Sequence, residues 1–183
     1  SGVVRIGPLA ALELDSVWNE VPPADRGHWQ DIEQRRRAIG DRAELYSVQL
    51  ERSRAVGAIH RVRWVSRDTD SLGYDIEVDA LEAEKGSQST ARRHIEVKGS
   101  SGRSLQFFLS ANELRAARRI GPQYEIHYWG EMVIGRHPQV EYETLRKAGY
   151  PVVIQDPATV LLSHPWLMEP SQYQVRRTAS PTS

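Results

Sequence analysis

Apolar residues recur at helical spacing between residues 31 and 54. They lie seven, four, three and four residues apart and so share one helical face: Ile32, Ile39, Ala43, Tyr46 and Leu50. Charged residues fill the other faces, and Gly40 is the point where this helix is expected to be weakest. The pattern predicts a helix with one face on the core and the others in solvent.

Short segments that alternate apolar and polar residues follow this helix. They predict four strands, at residues 56–66, 73–80, 92–98 and 123–130. A further short strand is predicted at 105–109, and residues 131–134 are expected to continue the last of the four.

A second helix is predicted from Ser110 to Ile120. Ser110 and Glu113 have the spacing of a capping box, and Gly121-Pro122 ends the helix. The remaining predicted elements are short: a helix within 138–150, a strand at 152–154 and a helix at 157–162.

The predicted order is a helix, three strands, a short strand, a helix and a strand. An antiparallel meander followed by a helical crossover gives a mixed central sheet flanked by helices, which is an α/β (α+β) fold. Three regions are expected: an N-terminal lead-in at 1–30, the core at 31–135, and a C-terminal extension at 136–183 that ends in a polar tail.

Amino-acid composition limits the kinds of covalent cross-link and metal site that the chain can form. The 183-residue chain has zero formal net charge and no cysteine, so disulfides and thiolate metal sites are excluded. Any metal ligand must therefore come from oxygen or histidine. No apolar run is long enough for a transmembrane helix, and the first residues do not resemble a signal peptide, so a cytoplasmic protein with no membrane partner is expected.

The candidate chemistry lies on the two middle predicted strands. Glu96 and Lys98 are two residues apart and therefore share one strand face, and Asp75 lies on the preceding strand. Asp75 and Glu96 are candidate ligands for a divalent cation, with the backbone carbonyl of Val97 as a third ligand. Such an ion activates water and polarises a phosphoryl group, while Lys98 holds the attacking water or contacts the phosphate.

Four motifs make the chain resemble a known family. They are Ile39-Gly40-Asp41-Arg42-Ala43-Glu44, Gly73-Tyr74-Asp75-Ile76, Ile95-Glu96-Val97-Lys98-Gly99 and Asn112-Glu113. In these motifs the chain resembles the PD-(D/E)xK nuclease superfamily and, more narrowly, the DUF3883 (NOV C-terminal) family, over roughly residues 38–130. One departure is Tyr74, which stands where the superfamily name has proline.

The resemblance implies a fold and an activity. It implies a restriction-endonuclease-like core in the order α-β-β-β-α-β, and a DNA endonuclease or nickase that uses Mg²⁺, or Mn²⁺ in its place. By the same resemblance Asp75 and Glu96 are metal ligands, Lys98 is catalytic, and Glu44 is an additional ligand from the first helix. It also implies a module of a larger bacterial defence or DNA-processing protein.

Polar side chains near the motifs are candidates for contact with the nucleic acid: Arg103, Gln106, Asn112, Arg115, Arg118 and Arg119.

Several alternatives stay open. Asp75 and Lys98 could form a structural ion pair, Glu44 could be a surface residue that pairs with Arg37 or Arg52, and the arginines could be a solvated surface. The whole chain could be a catalytically inactive module that binds nucleic acid or another protein, and the substrate could be RNA. Because one active site cuts one strand, cleavage of both strands would need a homodimer or two successive binding events.

Overall fold

The computed structural model describes residues 23–54, 60–69, 71–81 and 90–163. The polar tail and most of the predicted lead-in lie outside these residues, as do the first residues of the strand predicted at 56–66. No helix in the described part of the chain is both long enough and apolar enough to cross a membrane.

Nine helices and strands occur in the described ranges, besides a 3₁₀ turn. In chain order they are α1 (Pro23–Arg54), β1 (His60–Trp64), β2 (Ile76–Leu81), β3 (Thr90–Gly99), α2 (Ala111–Ile120), β4 (Tyr124–Trp129), α3 (Pro138–Lys147), β5 (Val152–Gln155) and α4 (Pro157–Val160). The 3₁₀ turn, Gly121–Gln123, joins α2 to β4.

The five strands form one mixed sheet in sequence order. β1, β2 and β3 are an antiparallel meander, whereas β3 and β4 run parallel and are joined by α2. A parallel pair needs such a crossover because a tight turn can only join antiparallel strands. β5 pairs antiparallel with β4 and extends the sheet into the predicted C-terminal extension. The predicted mixed sheet with flanking helices is confirmed.

Helices cover both faces of the sheet. Ile39, Ala43 and Tyr46 of α1 pack with Ile95 and Val97 on one face. On the opposite face the core includes Ala116 and Ala117 of α2 with Tyr124, Ile126 and Ile154. Because strand residues alternate, Glu96 and Lys98 point away from α1 and towards the α2 side.

Gly99 allows α1 to lie close to the end of β3. A Cβ atom at this position would be 2.8 Å from Ile39 Cγ2 and 3.0 Å from Ala43 Cβ. These contacts are closer than van der Waals distances, so the last residue of the Ile95–Gly99 motif has a packing role against the first helix.

Two predicted strand segments are wrong. Residues 105–109 have no regular structure, and this segment is not one of the five strands of the sheet. Phe107 and Leu109 pack against the α2-side core instead, while Phe108 is 72% exposed. Residues 131–134 do not continue β4: the backbone turns at Glu131 (φ 56°), and Met132 N–H donates to the carbonyl of Ser100.

Several boundaries also differ from the prediction, and the two largest differences are at the starts of α1 and β2. α1 begins at Pro23 rather than at residue 31, and it runs through Gly40 without a break. β2 begins at Ile76, so Asp75 lies immediately before the strand rather than inside it. The second difference matters for function, because it places the Asp75 side chain beside the end of β3.

Candidate functional site

A cavity of about 240 Å³ lies where β2 begins and β3 ends. Asp75 and Glu96 line it from the sheet, and Asn112 and Glu113 line it from the first turn of α2. The β1–β2 connection closes a further side, through Ser66, Thr69 and Gly73. The predicted carboxylates therefore share one small polar cavity.

Asp75 is held in place by both its backbone and its side chain. Its N–H donates to the carbonyl of Ile95 at 2.9 Å, and its own carbonyl accepts from the N–H of Val65 at 2.7 Å. Its Oδ2 accepts from the backbone N–H of Val97 at 2.7 Å. These bonds fix the carboxylate against the centre of the Glu96–Lys98 motif.

Gly73 makes the turn into Asp75 possible. Its φ of +76° is a conformation that glycine adopts without strain. A Cβ atom there would be 3.0 Å from both Ala116 Cβ and the Asn112 carbonyl oxygen of α2. The glycine of the Gly73–Ile76 motif thus brings α2 close to the turn that carries Asp75.

Lys98 lies between two carboxylates. Its Nζ is 2.7 Å from Glu96 Oε1 and 2.9 Å from Glu113 Oε2, and its side chain is only 17% exposed. The open alternative of an Asp75–Lys98 ion pair is not what the structure shows, since Asp75 accepts from Val97 instead.

Burial and like charge disfavour ionisation of both candidate ligands. Burial, followed by repulsion from Glu44, raises the pKa of Asp75 to about 7. Burial, followed by repulsion from Asp75, raises the pKa of Glu96 to about 9, and the Lys98 ammonium only partly opposes this. Removing a carboxylate from water disfavours its charged form, and a second carboxylate nearby adds to the effect.

Glu113 behaves in the opposite way. Burial raises the pKa of its carboxyl group, but attraction to Lys98 and hydrogen bonds from Lys98 and Ser110 outweigh burial and lower it. Glu113 is therefore the carboxylate of this cluster that stays ionised, and it supplies the negative charge next to the lysine.

Glu44 lies next to the site but is bound in its wall. Its Oε2 accepts from Trp64 Nε1 at 2.6 Å and also from the hydroxyl of Ser66. Glu44 therefore points towards the sheet, and its contacts are not with Arg37 or Arg52. Repulsion from Glu44 adds to the effect of burial in raising the pKa of Asp75.

The donor set is small but suits a hard cation. Among the described residues, no group of three or more His, Cys, Asp and Glu side chains is arranged to hold a metal ion. Mg²⁺ is commonly bound by one or two carboxylates, with water and substrate phosphate completing its shell. The N–H and C=O of a strand residue point to the same side, so the Val97 carbonyl lies on the Asp75 side of β3. Two buried carboxylates of high pKa and one carbonyl fit such an ion.

The candidates for nucleic-acid contact divide into two groups. Asn112 lines the cavity and donates from Nδ2 to the carbonyl of Ser71 at 3.1 Å. A neighbouring cavity of about 530 Å³ is also lined by Asn112, together with three arginines of α2: Arg115, Arg118 and Arg119.

The other two candidates do not line these cavities. Arg103 is 92% exposed and forms a 2.7 Å ion pair with Glu131, and Gln106 lies in the exposed segment that follows. The structure thus brings the α2 candidates to the site and leaves the loop candidates outside both cavities.

Sequence reasoning missed part of the site. The predicted capping box of Ser110 and Glu113 is present, but the sequence predicts neither the contact of Glu113 with Lys98 nor the hydrogen bond of Ser66 to Glu44. The one signal for Glu113 in the sequence is its place in the Asn112-Glu113 motif. Its contact with Lys98 depends on the path of residues 100–110, which no periodicity predicts.

Comparison with known proteins gives one match. The family model described as "Protein NO VEIN, C-terminal" matches residues 43–156, more than half of the chain. No curated protein and no solved structure matches the chain. The matched range includes Glu44, Asp75, Glu96, Lys98 and Glu113, so every carboxylate of the cluster and its lysine lie within the family domain.

Proposed function

The chain belongs to the family described as Protein NO VEIN, C-terminal, and from that premise we propose that it is a metal-dependent DNA endonuclease domain. The observation that carries the proposal is the pair of carboxylates, Asp75 and Glu96, in one cavity beside Lys98. Two buried carboxylates that repel each other cost stability unless a cation compensates them. The cluster is therefore better suited to binding a cation than to stabilising the fold.

The arrangement also supports a restriction-endonuclease-like core. A helix precedes a three-stranded antiparallel meander, and a second helix leads to a parallel fourth strand, as the superfamily resemblance implies. The aspartate immediately precedes β2, and the glutamate and lysine lie on one face of β3 next to it.

In the proposed mechanism each residue has a separate task. Asp75, Glu96 and the Val97 carbonyl would hold Mg²⁺, for which Mn²⁺ could substitute. The ion, when bound, lowers the pKa of a coordinated water and polarises the phosphoryl oxygen. The Lys98 ammonium has three N–H donors, of which Glu96 and Glu113 take two, and the third orients the attacking water or a phosphate oxygen. Glu44 contributes negative charge at Asp75 from the wall of the site and is a weaker candidate as a ligand.

The substrate is assigned from the surroundings of the cavity. Arg115, Arg118 and Arg119 line the adjacent cavity, where guanidinium groups can bind phosphates that flank the scissile bond. The zero net charge of the chain does not oppose this, since a local cluster of arginines is sufficient for backbone contacts. The description of the family refers to the C-terminal part of a protein, and we propose that this domain acts with other domains of a larger defence or DNA-processing protein.

The test is cleavage of a supercoiled plasmid in Mg²⁺ or Mn²⁺. Wild type should convert it first to nicked circles, because one site cuts one strand. Asp75→Asn keeps an acceptor for Val97 N–H but removes a ligand charge, and Lys98→Ala removes the ammonium, so each should lower the cleavage rate by at least about 100-fold. Glu143→Gln, at an exposed position of α3, is the matched control and should cleave like wild type.

The same experiment separates the competing interpretations. Absence of cleavage by wild type in either metal, with DNA binding equal in wild type and both variants, would identify a non-catalytic binding module. A parallel reaction on a labelled RNA of the same sequence assigns the substrate, and preferential RNA cleavage would contradict the DNA assignment.

A further inference from the structure

Lys98 contacts a second carboxylate, that of Glu113, which the proposed metal site does not require. Glu113 Oε2 accepts from Lys98 Nζ at 2.9 Å, and the lysine side chain is largely buried. Glu113 is on α2, fifteen residues beyond Lys98, so the contact joins β3 to the first turn of the crossover helix.

The capping box fixes the Glu113 side chain. The same Oε2 accepts from the backbone N–H of Ser110 at 2.9 Å, and the N–H of Glu113 donates to Ser110 Oγ at 3.2 Å. Ala116 and Ala117, one turn later, are buried in the core and hold the helix in place. Glu113 therefore presents its carboxylate to Lys98 from a rigid position.

Glu96 contacts Lys98 through Oε1 at 2.7 Å, but it would divide its carboxylate between the lysine and the metal. Under the proposed function the carboxylate of Glu96 binds the ion, and the ion and the ammonium then draw on the same group. Glu113 is not one of the proposed metal ligands, and its carboxylate contacts the lysine directly at 2.9 Å.

We propose that Glu113 is the positioning residue of Lys98: it holds the ammonium at the cavity while Glu96 serves the metal. This inference rests on the proposed nuclease function. It assigns to the acidic residue of the Asn112-Glu113 motif a role in catalysis through Lys98, besides its role in the helix cap.

Glu113→Gln is the variant that separates the two roles. A glutamine at this position also forms a capping box, so the bonds to Ser110 are kept while the charge that faces Lys98 is removed. We expect kcat for plasmid cleavage to fall about 10- to 100-fold, since a small displacement of a catalytic group has effects of this size. The KM for DNA should stay within about twofold, because the Glu113 carboxylate is bound to Lys98 and Ser110 and is not proposed to contact the DNA.

Ala111→Gly controls for weakening of α2. It lowers the helix propensity of the first turn at an exposed residue that lines neither cavity. Its melting temperature should fall while its kcat, measured well below the melting transition, stays near that of wild type. A fall in kcat in this control equal to that of Glu113→Gln would overturn the proposal, because helix stability would then explain both.

A second measurement does not depend on cleavage. An ammonium held between the ionised Glu113 and Glu96 exchanges its protons slowly, so the side-chain ¹⁵N–¹H signal of Lys98 should be observable and should be absent in Lys98→Ala. In wild type the signal should persist when Mg²⁺ is added without DNA. In Glu113→Gln it should broaden or vanish when Mg²⁺ is added.

The outcomes distinguish this inference from the function on which it rests. If wild type cuts DNA and Glu113→Gln keeps its kcat, or changes only KM, the inference is wrong and the nuclease proposal stands. If wild type does not cut, the nuclease proposal fails, and the Lys98 signal alone decides whether Glu113 holds the lysine. An unchanged signal in Glu113→Gln with Mg²⁺ overturns the inference in either case.

Discussion

Replacing Glu96 with glutamine should make the metal-free protein more stable at alkaline pH. Glu96 is 4% exposed, and burial and Asp75 raise its pKa to about 9, whereas an unfolded chain has an ordinary glutamate near 4.5. Between these values the folded protein binds a proton that the unfolded chain has released. Stability therefore falls as pH rises through this window. Glu96→Gln removes the titrating group and keeps an oxygen that can accept from Lys98.

The size of the effect follows from the pKa. Between pH 7 and pH 9 the ionisation of Glu96 should lower the free energy of unfolding by about 2 kcal/mol, since one pKa unit corresponds to about 1.4 kcal/mol. Asp75, with a pKa of about 7, adds a smaller loss in the same direction. For a chain of this length about 2 kcal/mol corresponds to a melting temperature lower by roughly 4–8 °C. Burial lowers the pKa of His94, so the titration of this histidine makes the stability rise with pH. That rise is confined to pH values below the ordinary histidine pKa of 6.5, and the measurement therefore begins at pH 7.

The assay is thermal unfolding in a chelator at pH 7, 8 and 9. The melting temperature of wild type should fall across this range, that of Glu96→Gln should fall much less, and the exposed control Glu143→Gln should follow wild type. Saturating Mg²⁺ should restore wild type most strongly at pH 9, because the ion binds the ionised carboxylates of the folded state only. A wild-type melting temperature that is constant or rises from pH 7 to 9, with Glu96→Gln in parallel, would refute the reasoning.

Two further predictions concern packing and substrate binding. Gly99→Ala should lower the free energy of unfolding in urea by about 1–3 kcal/mol, because the added Cβ would overlap Ile39. An unchanged urea midpoint would show that α1 does not lie this close to β3. Arg118→Ala combined with Arg119→Ala should weaken DNA binding at all sequences and reduce the slope of log affinity against log salt by about 1 for each phosphate that the protein no longer binds. The matched double lysine variant keeps both charges and should keep the slope, so a slope that is equal in all three proteins would exclude phosphate binding there.

The local sequence determined much of the architecture. Periodicity predicted α1, the four main strands, α2 and its capping box, because backbone hydrogen bonding and burial of one face act over a few residues. The alternation of β3 correctly placed Glu96 and Lys98 on one face and Ile95 and Val97 on the other, against α1. The motifs also predicted that Asp75 would lie next to this strand.

Tertiary structure decided what surrounds these residues. Residues 105–109 are apolar like a short strand, but Phe107 and Leu109 pack against the α2-side core and the segment does not join the sheet, so its pattern was misleading. Glu44 accepts hydrogen bonds from Trp64 on β1 and from Ser66 just after β1. A helical wheel cannot show these two partners. The position of Glu113 beside Lys98 depends on how α2 crosses the sheet and packs at Gly73.

The chemistry of the cluster follows the same division. The sequence specifies which side chains carry acid and amine groups, but their pKa values depend on burial and on distances between residues far apart in the chain. Asp75 and Glu96 are difficult to ionise because the fold removes them from water and places them in one cavity. Glu113 stays ionised because the fold places Lys98 and the Ser110 N–H against it. Desolvation and charge proximity are properties of the assembled structure, and for that reason only the structure separates the two candidate ligands from the carboxylate that holds the lysine.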